Sequence, residues 1–143
     1  MIVPDANLLL YAYDAASPFH EKAAGWWSAC LSGSEPVGLS PAILLAFVRI
    51  GTSSRAFVDP LTVDEAAGHV EDWLQQPVAQ VLDADADDVR RALDLLRTAG
   101  TGGNLTMDAH LAALALRHRA VVHSADTDFA RFPGVRWRNP LVR

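Results

Sequence analysis

Short β-like runs alternate with amphipathic helical stretches along the whole chain. That alternation restricts the fold to an α/β domain built on a parallel sheet. The strand-like runs fall at residues 2–4, 37–39, 79–82 and 120–124, with a short edge piece at 135–137. Helical patterns lie between them at 7–13, 19–31, 41–52, 63–75, 85–98 and 107–119. Pro41 opens the third helix at a position where a missing N–H costs nothing. The fifth shows Val89, Ala92, Leu93 and Leu96 at the i, i+3, i+4, i+7 spacing of one buried face and stops at Gly100. No repeat or linker divides the 143 residues, so 1–143 reads as a single domain with one core.

Composition narrows the class further. Half of the residues are apolar and 20% are charged, which excludes a disordered chain. The uncharged stretches are broken by Pro, Gly and Ser and fall short of the roughly 18 residues of a membrane span. The first residues lack a basic segment and a cleavage site, so no secretory signal is expected. Cys30 is the only cysteine and can form no internal disulfide, which fits a reducing cytoplasm. Eleven Arg against one Lys, with abundant Ala, is the bias of a GC-rich bacterial genome. The net charge of −5 conceals an asymmetry: residues 1–88 carry −10, whereas residues 89–143 hold nine Arg and only four acids. Arg90, Arg91, Arg117, Arg119, Arg131, Arg136, Arg138 and Arg143 could contact phosphates, or could simply solvate helix faces.

In an open parallel sheet the functional crevice lies beyond the carboxyl ends of the strands, so the residue following each strand carries the most information. Those positions are acidic or hydroxylic: Asp5, Ser40, Asp83 and the segment from Ser124 to Asp128. Asp108, in the first turn of the last long helix, adds another carboxylate. Asp5, Asp108, Asp126 and Asp128 are thus expected at one edge of the sheet. Carboxylates crowded together raise one another's pKa unless a cation neutralises them. Oxygen-only ligation without a His or Cys cluster favours Mg²⁺, with Mn²⁺ as a substitute, over zinc. Such an ion can activate water and stabilise a leaving phosphate ester, which points to phosphodiester hydrolysis.

Each residue also has a structural alternative. Asp5 can cap the first helix, Asp108 can complement a helix dipole, and Asp126 and Asp128 can bracket a turn. Asn7 is expected to orient Asp5 or cap its helix. His110 receives no role. Trp26, Trp27 and Trp73 fit helical burial or an interface better than base stacking, since no basic residues are interleaved with them.

Taken together, three ordered motifs resemble those of PIN domains of the VapC ribonuclease-toxin type. They are the opening Val3-Pro4-Asp5-Ala6-Asn7-Leu8-Leu9-Leu10-Tyr11-Ala12, the internal Thr106-Met107-Asp108-Ala109-His110-Leu111, and the tail His123-Ser124-Ala125-Asp126-Thr127-Asp128-Phe129. The resemblance implies a three-layer α/β/α PIN-like fold with a central parallel sheet of about five short strands. It further implies Mg²⁺-dependent endoribonuclease activity, a homodimer and a VapB-type antitoxin that blocks the site. By position, Asp5 and Asp108 match the family's metal ligands. Asp126 and Asp128 match the acidic positions that complete the pocket, with Asp126 assigned as a third ligand. A surplus of large apolar residues in the N-terminal half gives a second reason to expect a homodimer.

One departure stands out. The family's second motif places a Glu where Leu45-Ala46-Phe47-Val48-Arg49 puts Ala46, and no acid between Glu35 and Asp59 replaces it. Two readings therefore compete: an active cytoplasmic endoribonuclease, and a PIN-fold module that binds RNA and antitoxin but hydrolyses little. A receiver-like or dehalogenase-like phosphoryl-transfer domain would need a catalytic Lys, and Lys22 follows no strand.

Overall fold

The computed structural model describes residues 1–142, so Arg143 lies outside the described residues. Five strands, β1 (Ile2–Pro4), β2 (Val37–Leu39), β3 (Ala79–Val81), β4 (Val121–His123) and β5 (Arg136–Arg138), form one sheet in the order β3-β2-β1-β4-β5. Every pairing is parallel. Six α-helices connect them: α1 (Ala6–Tyr13), α2 (His20–Ser32), α3 (Pro41–Gly51), α4 (Val63–Leu74), α5 (Ala86–Ala99) and α6 (Leu105–His118). A short 3₁₀ helix at Thr127–Arg131 follows β4, where the sequence suggested only a turn.

The chain moves outward from β1 through β2 to β3 and then jumps back across the sheet to β4. Right-handed crossovers put connections of opposite direction on opposite faces. Accordingly, α1 packs on α2 and α3, and α3 on α4, while α5 and α6 pack on each other. This is the expected three-layer α/β/α arrangement. It also creates a switch point between β1 and β4, where the connections diverge and leave a crevice at the carboxyl ends of the strands.

Local signals set the helix boundaries. Capping boxes pair Thr62 with Glu65 at α4 and Asp85 with Asp88 at α5, satisfying free N–H groups at both starts. Gly100 ends α5 in the left-handed region at φ 77°, a conformation that strains most other residues.

The core narrows one argument made from the sequence. Of the large apolar residues of the N-terminal half, Leu8, Leu9, Trp27, Phe47 and Trp73 are buried within the protomer, whereas Phe19, Leu45, Val58 and Val63 remain exposed. Trp73 packs edge-on against Trp27 and Phe47 at centroid distances of 5.5 and 4.8 Å, and its Nε1 donates to the Tyr13 hydroxyl at 2.8 Å. Burial of each such side chain contributes about 1.5–3 kcal/mol, which fastens α1 to α4 onto one face of the sheet. Cys30 is buried as well, and burial pushes its thiol up to about 11. No described helix is long and apolar enough to cross a membrane.

Candidate active site

Asp5 is the first residue beyond β1 and the N-cap of α1, so its carboxylate is fixed from both sides. Its Oδ1 accepts from the Ala6 N–H at 2.7 Å, and its Oδ2 accepts from the Ser124 hydroxyl at 2.7 Å. Asn7 does what its position suggested. The Asn7 amide donates to Asp5 Oδ2 at 3.4 Å and to Ser124 Oγ at 3.2 Å, and its oxygen accepts from the Ala125 N–H at 3.2 Å. Ser124 Oγ also accepts from the Asp126 N–H at 2.9 Å, and Asp126 in turn caps the 3₁₀ helix through the Asp128 N–H at 2.8 Å. A continuous network thus ties the end of β1 to the loop after β4. The helix-capping role of Asp5 and the bracketing role of Asp126 are both real, and they orient the very carboxylates that the site reading requires.

Asp108 approaches from the first turn of α6, on the opposite side of the crevice. One carboxylate oxygen from each of Asp108, Asp126 and Asp128 lies within 4.8 Å of the others. Asp5 lies outside this trio, near enough for its charge to act on Asp108, and is more deeply buried than any of the three. The electrostatics follow from crowding. Asp108 is pushed up to about 7, chiefly by desolvation and then by the charges of Asp5 and Asp126, a hydrogen bond with Asp126 and the charge of Asp128. Asp5 is also raised, first by burial, with the Ser124 and Ala6 hydrogen bonds opposing and Asp126 adding to the shift. A half-buried, oxygen-only cluster that resists full ionisation fits a hard divalent cation, which would stabilise all four charges at once.

The remaining strand-end residues separate clearly. Asp83 is exposed and apart from the cluster, whereas Ser40 is buried at the end of β2. Ala46 lies on α3, partly buried against the core, so α3 presents no carboxylate. A pair that the sequence did not reveal borders the network: Trp26 Nε1 donates to His123 Nδ1 at 2.9 Å. Burial and the nearby Arg138 push His123 down to about 4, which keeps it a neutral acceptor. The residues are 97 positions apart, and no local pattern could have linked them. Part of the C-terminal Arg surplus is spent internally. Arg90 pairs with Asp87, Arg97 with Asp94, Arg117 with Asp85 and Asp88, and Arg136 donates to the Arg119 carbonyl. Arg131 lies 4.0 Å from Asp128, at the rim of the cluster. A separate cleft of about 350 Å³, lined by Leu10, Tyr13, Phe47 and Leu61 among others, contains none of the clustered carboxylates.

The sequence profile of the PIN domain matches residues 2–135, from the first strand through the loop after β4. The chain belongs to the PIN domain family. Within the family it stands with the VapC ribonucleases. It is 43% identical over 141 residues to Ribonuclease VapC33 of Mycobacterium tuberculosis, covering 99% of each chain. It is 44% identical over 140 residues to Ribonuclease VapC37 of the same organism, covering 98% of this chain and 97% of the relative. Among solved structures, Mycobacterium tuberculosis VapC20, a sarcin–ricin loop cleaving toxin, superposes with a TM-score of 0.70 at 20% identity over 95% of this chain and 99% of that one. VapBC-1 from nontypeable Haemophilus influenzae gives 0.68 at 18% identity over 99% and 100%. At such low identity these two show the fold alone.

Proposed function

We propose that this PIN domain is a Mg²⁺-dependent endoribonuclease, the toxin of a VapBC-type pair, in which Asp5, Asp108 and Asp126 hold the ion and Asp128 completes the acidic pocket. The carrying observation is the convergence of Asp108, Asp126 and Asp128 within 4.8 Å, with a buried Asp5 near enough for its charge to act on Asp108. The ribonuclease names of relatives at 43–44% identity support RNA as substrate. Mn²⁺ is the expected substitute ion. When bound, the cation supplies an acidified water and charge stabilisation at the scissile phosphate. The protein's own part is orientation. Asn7 and Ser124 hold the Asp5 carboxylate, and the Ser124 hydroxyl positions the start of the 124–128 loop. Arg131, beside Asp128, is placed to meet a substrate phosphate.

A VapB-type antitoxin, a homodimer and residence in the cytoplasm complete the proposal. The structural neighbours include toxin–antitoxin complexes, which supports the first. The binding-only reading suggested by Ala46 gains no support from relatives named as ribonucleases.

Incubation of the purified, antitoxin-free protein with total RNA, in Mg²⁺ or in EDTA, tests the activity. New RNA ends should form only with Mg²⁺. Asp5→Asn and Asp108→Asn should each lower the rate at least a hundredfold, since each removes ligand charge at nearly constant volume. Cleavage that persists in both variants and in EDTA overturns the proposal.

A further inference from the structure

Among the described residues, α2 reaches the sheet through one side-chain hydrogen bond, from Trp26 Nε1 to His123 Nδ1. Its other side-chain bonds end on the carbonyls of Tyr11, Ser28 and Leu141, none of which is in a strand. His123 closes β4, and the segment from Ser124 to Asp128 that follows carries a hydroxyl and two carboxylates of the site. The bond therefore ties a helix on one face of the sheet to the last strand residue before the site.

At this point the backbone is held from both sides within the plane of the sheet. The Asp5 N–H donates to the His123 carbonyl at 2.9 Å, and the Ser124 N–H donates to the Arg138 carbonyl at 3.1 Å. Both bonds run between neighbouring strands and only weakly oppose rocking of the His123–Ser124 peptide about the strand axis. Side chains stand roughly perpendicular to that plane, so the Trp26–His123 bond supplies the out-of-plane restraint. Rocking here would displace Ser124 Oγ, which donates to Asp5 Oδ2 at 2.7 Å and accepts from the Asp126 N–H at 2.9 Å. A functional constellation tolerates misplacement of only about 0.5 Å. Packing alone does not call for the pair. His123 is buried after two valines in β4, a place where a third apolar residue would serve the core. Instead, burial and Arg138 keep its ring neutral, and the indole donor makes Nδ1 the acceptor, which leaves the proton on Nε2. Trp26 is itself anchored, with its ring 5.4 Å from that of the buried Trp27.

We infer that Trp26 is a positioning residue of the carboxylate site, its indole N–H holding His123 so that Ser124 keeps Asp5 and the 124–128 loop aligned. This role presupposes the metal-dependent reading above and extends its machinery to α2. Trp26 touches neither ion nor RNA in it. Loss of the indole N–H should therefore act through geometry alone, lowering metal affinity and turnover while sparing RNA affinity.

Calorimetric titration of Mn²⁺ and steady-state RNA cleavage test this on wild type, Trp26→Phe, His123→Phe, their double variant, His123→Asn and Asp108→Asn, with thermal melts to show that each is folded at the assay temperature. Trp26→Phe keeps an aromatic ring and removes the donor. It should bind Mn²⁺ about tenfold more weakly and lower kcat about tenfold, with KM within about twofold, the scale of losing an outer partner of a metal site. His123→Phe should match it, and the double variant should be no worse than either single change, because all three remove one bond. His123→Asn, whose amide oxygen can stand in for Nδ1, should stay within about threefold of wild type. Should Trp26→Phe fold poorly, His123→Phe reads the same bond from its other end. Wild-type Mn²⁺ affinity and kcat in the folded variant, while Asp108→Asn binds weakly, overturn the role of Trp26 alone. Losses that add in the double variant overturn it too, as does a raised KM at unchanged Mn²⁺ affinity, which would make Trp26 an RNA contact. Absence of Mn²⁺ binding to wild type overturns the metal-dependent reading and this inference together.

Discussion

Asp108 gives the clearest consequence at the scale of single residues. In the folded, metal-free chain it keeps its proton up to about pH 7, whereas an unfolded Asp releases it near 3.8. Between those values the folded state binds the extra proton, so stability should fall as pH rises through this window. Thermal melts in EDTA should show the decline, excess Mg²⁺ should flatten it, and Asp108→Asn should lack its main part. A slope that Asp108→Asn leaves unchanged would assign the pH dependence elsewhere. Position 46 gives the complementary expectation. Ala46→Glu adds a carboxylate from α3 and should tighten Mn²⁺ binding roughly tenfold, with faster RNA cleavage. If both stay as they were, Glu at that position does not reach the ion. The four Asp residues were legible because each follows a strand or opens a helix, positions that the pattern of the chain exposes. Ser124 as the hydroxyl that binds Asp5, and Trp26 as the donor to His123, were not, because their partners are 119 and 97 residues away.

Among elements, the α5–α6 pair decides where Asp108 sits. Asp88, 2% exposed, accepts from the Asp85 N–H at 3.0 Å and pairs with Arg117 across the two helices. Removal of the cation would leave a buried carboxylate half-satisfied, so Arg117→Ala should cost about 3 kcal/mol in urea unfolding. The pairs Arg90–Asp87 and Arg97–Asp94 are exposed i,i+3 contacts within α5, so Arg90→Ala or Arg97→Ala should cost less than about 0.5 kcal/mol. Equal losses for all three would show that burial of Asp88 does not govern the hairpin. The elements were largely readable beforehand: all five strands and six helices stand within about two residues of the expected bounds, because capping residues, Pro41 and Gly100 mark their ends locally. The strand order was not readable. It arises from the return of the chain past β1 to β4, which no local residue records.

For the whole molecule, charge and shape together define what can restrain the enzyme. The chain is acidic overall at −5, part of its Arg charge is paired with its own Asp, and the acidic trio of Asp108, Asp126 and Asp128 stands at the switch point near Asp5. A partner that blocks this crevice therefore needs a cationic side chain at the carboxylates and a segment long enough to cover the carboxyl edge of the sheet. Such a cation would compete with Mg²⁺ for the same oxygens, so inhibition should weaken as Mg²⁺ rises. The partner expected is the product of a small reading frame adjacent to this one. Co-expression should relieve growth inhibition and yield a stable complex. In the RNA assay that complex should be silent at low Mg²⁺ and regain part of its cleavage when Mg²⁺ is raised at constant ionic strength, which separates competition at the site from simple salt screening. Partner affinity that does not respond to Mg²⁺ would place the blocking segment away from the carboxylates. Failure of the adjacent product to bind or to relieve toxicity would reject the toxin–antitoxin assignment while leaving the nuclease reading intact.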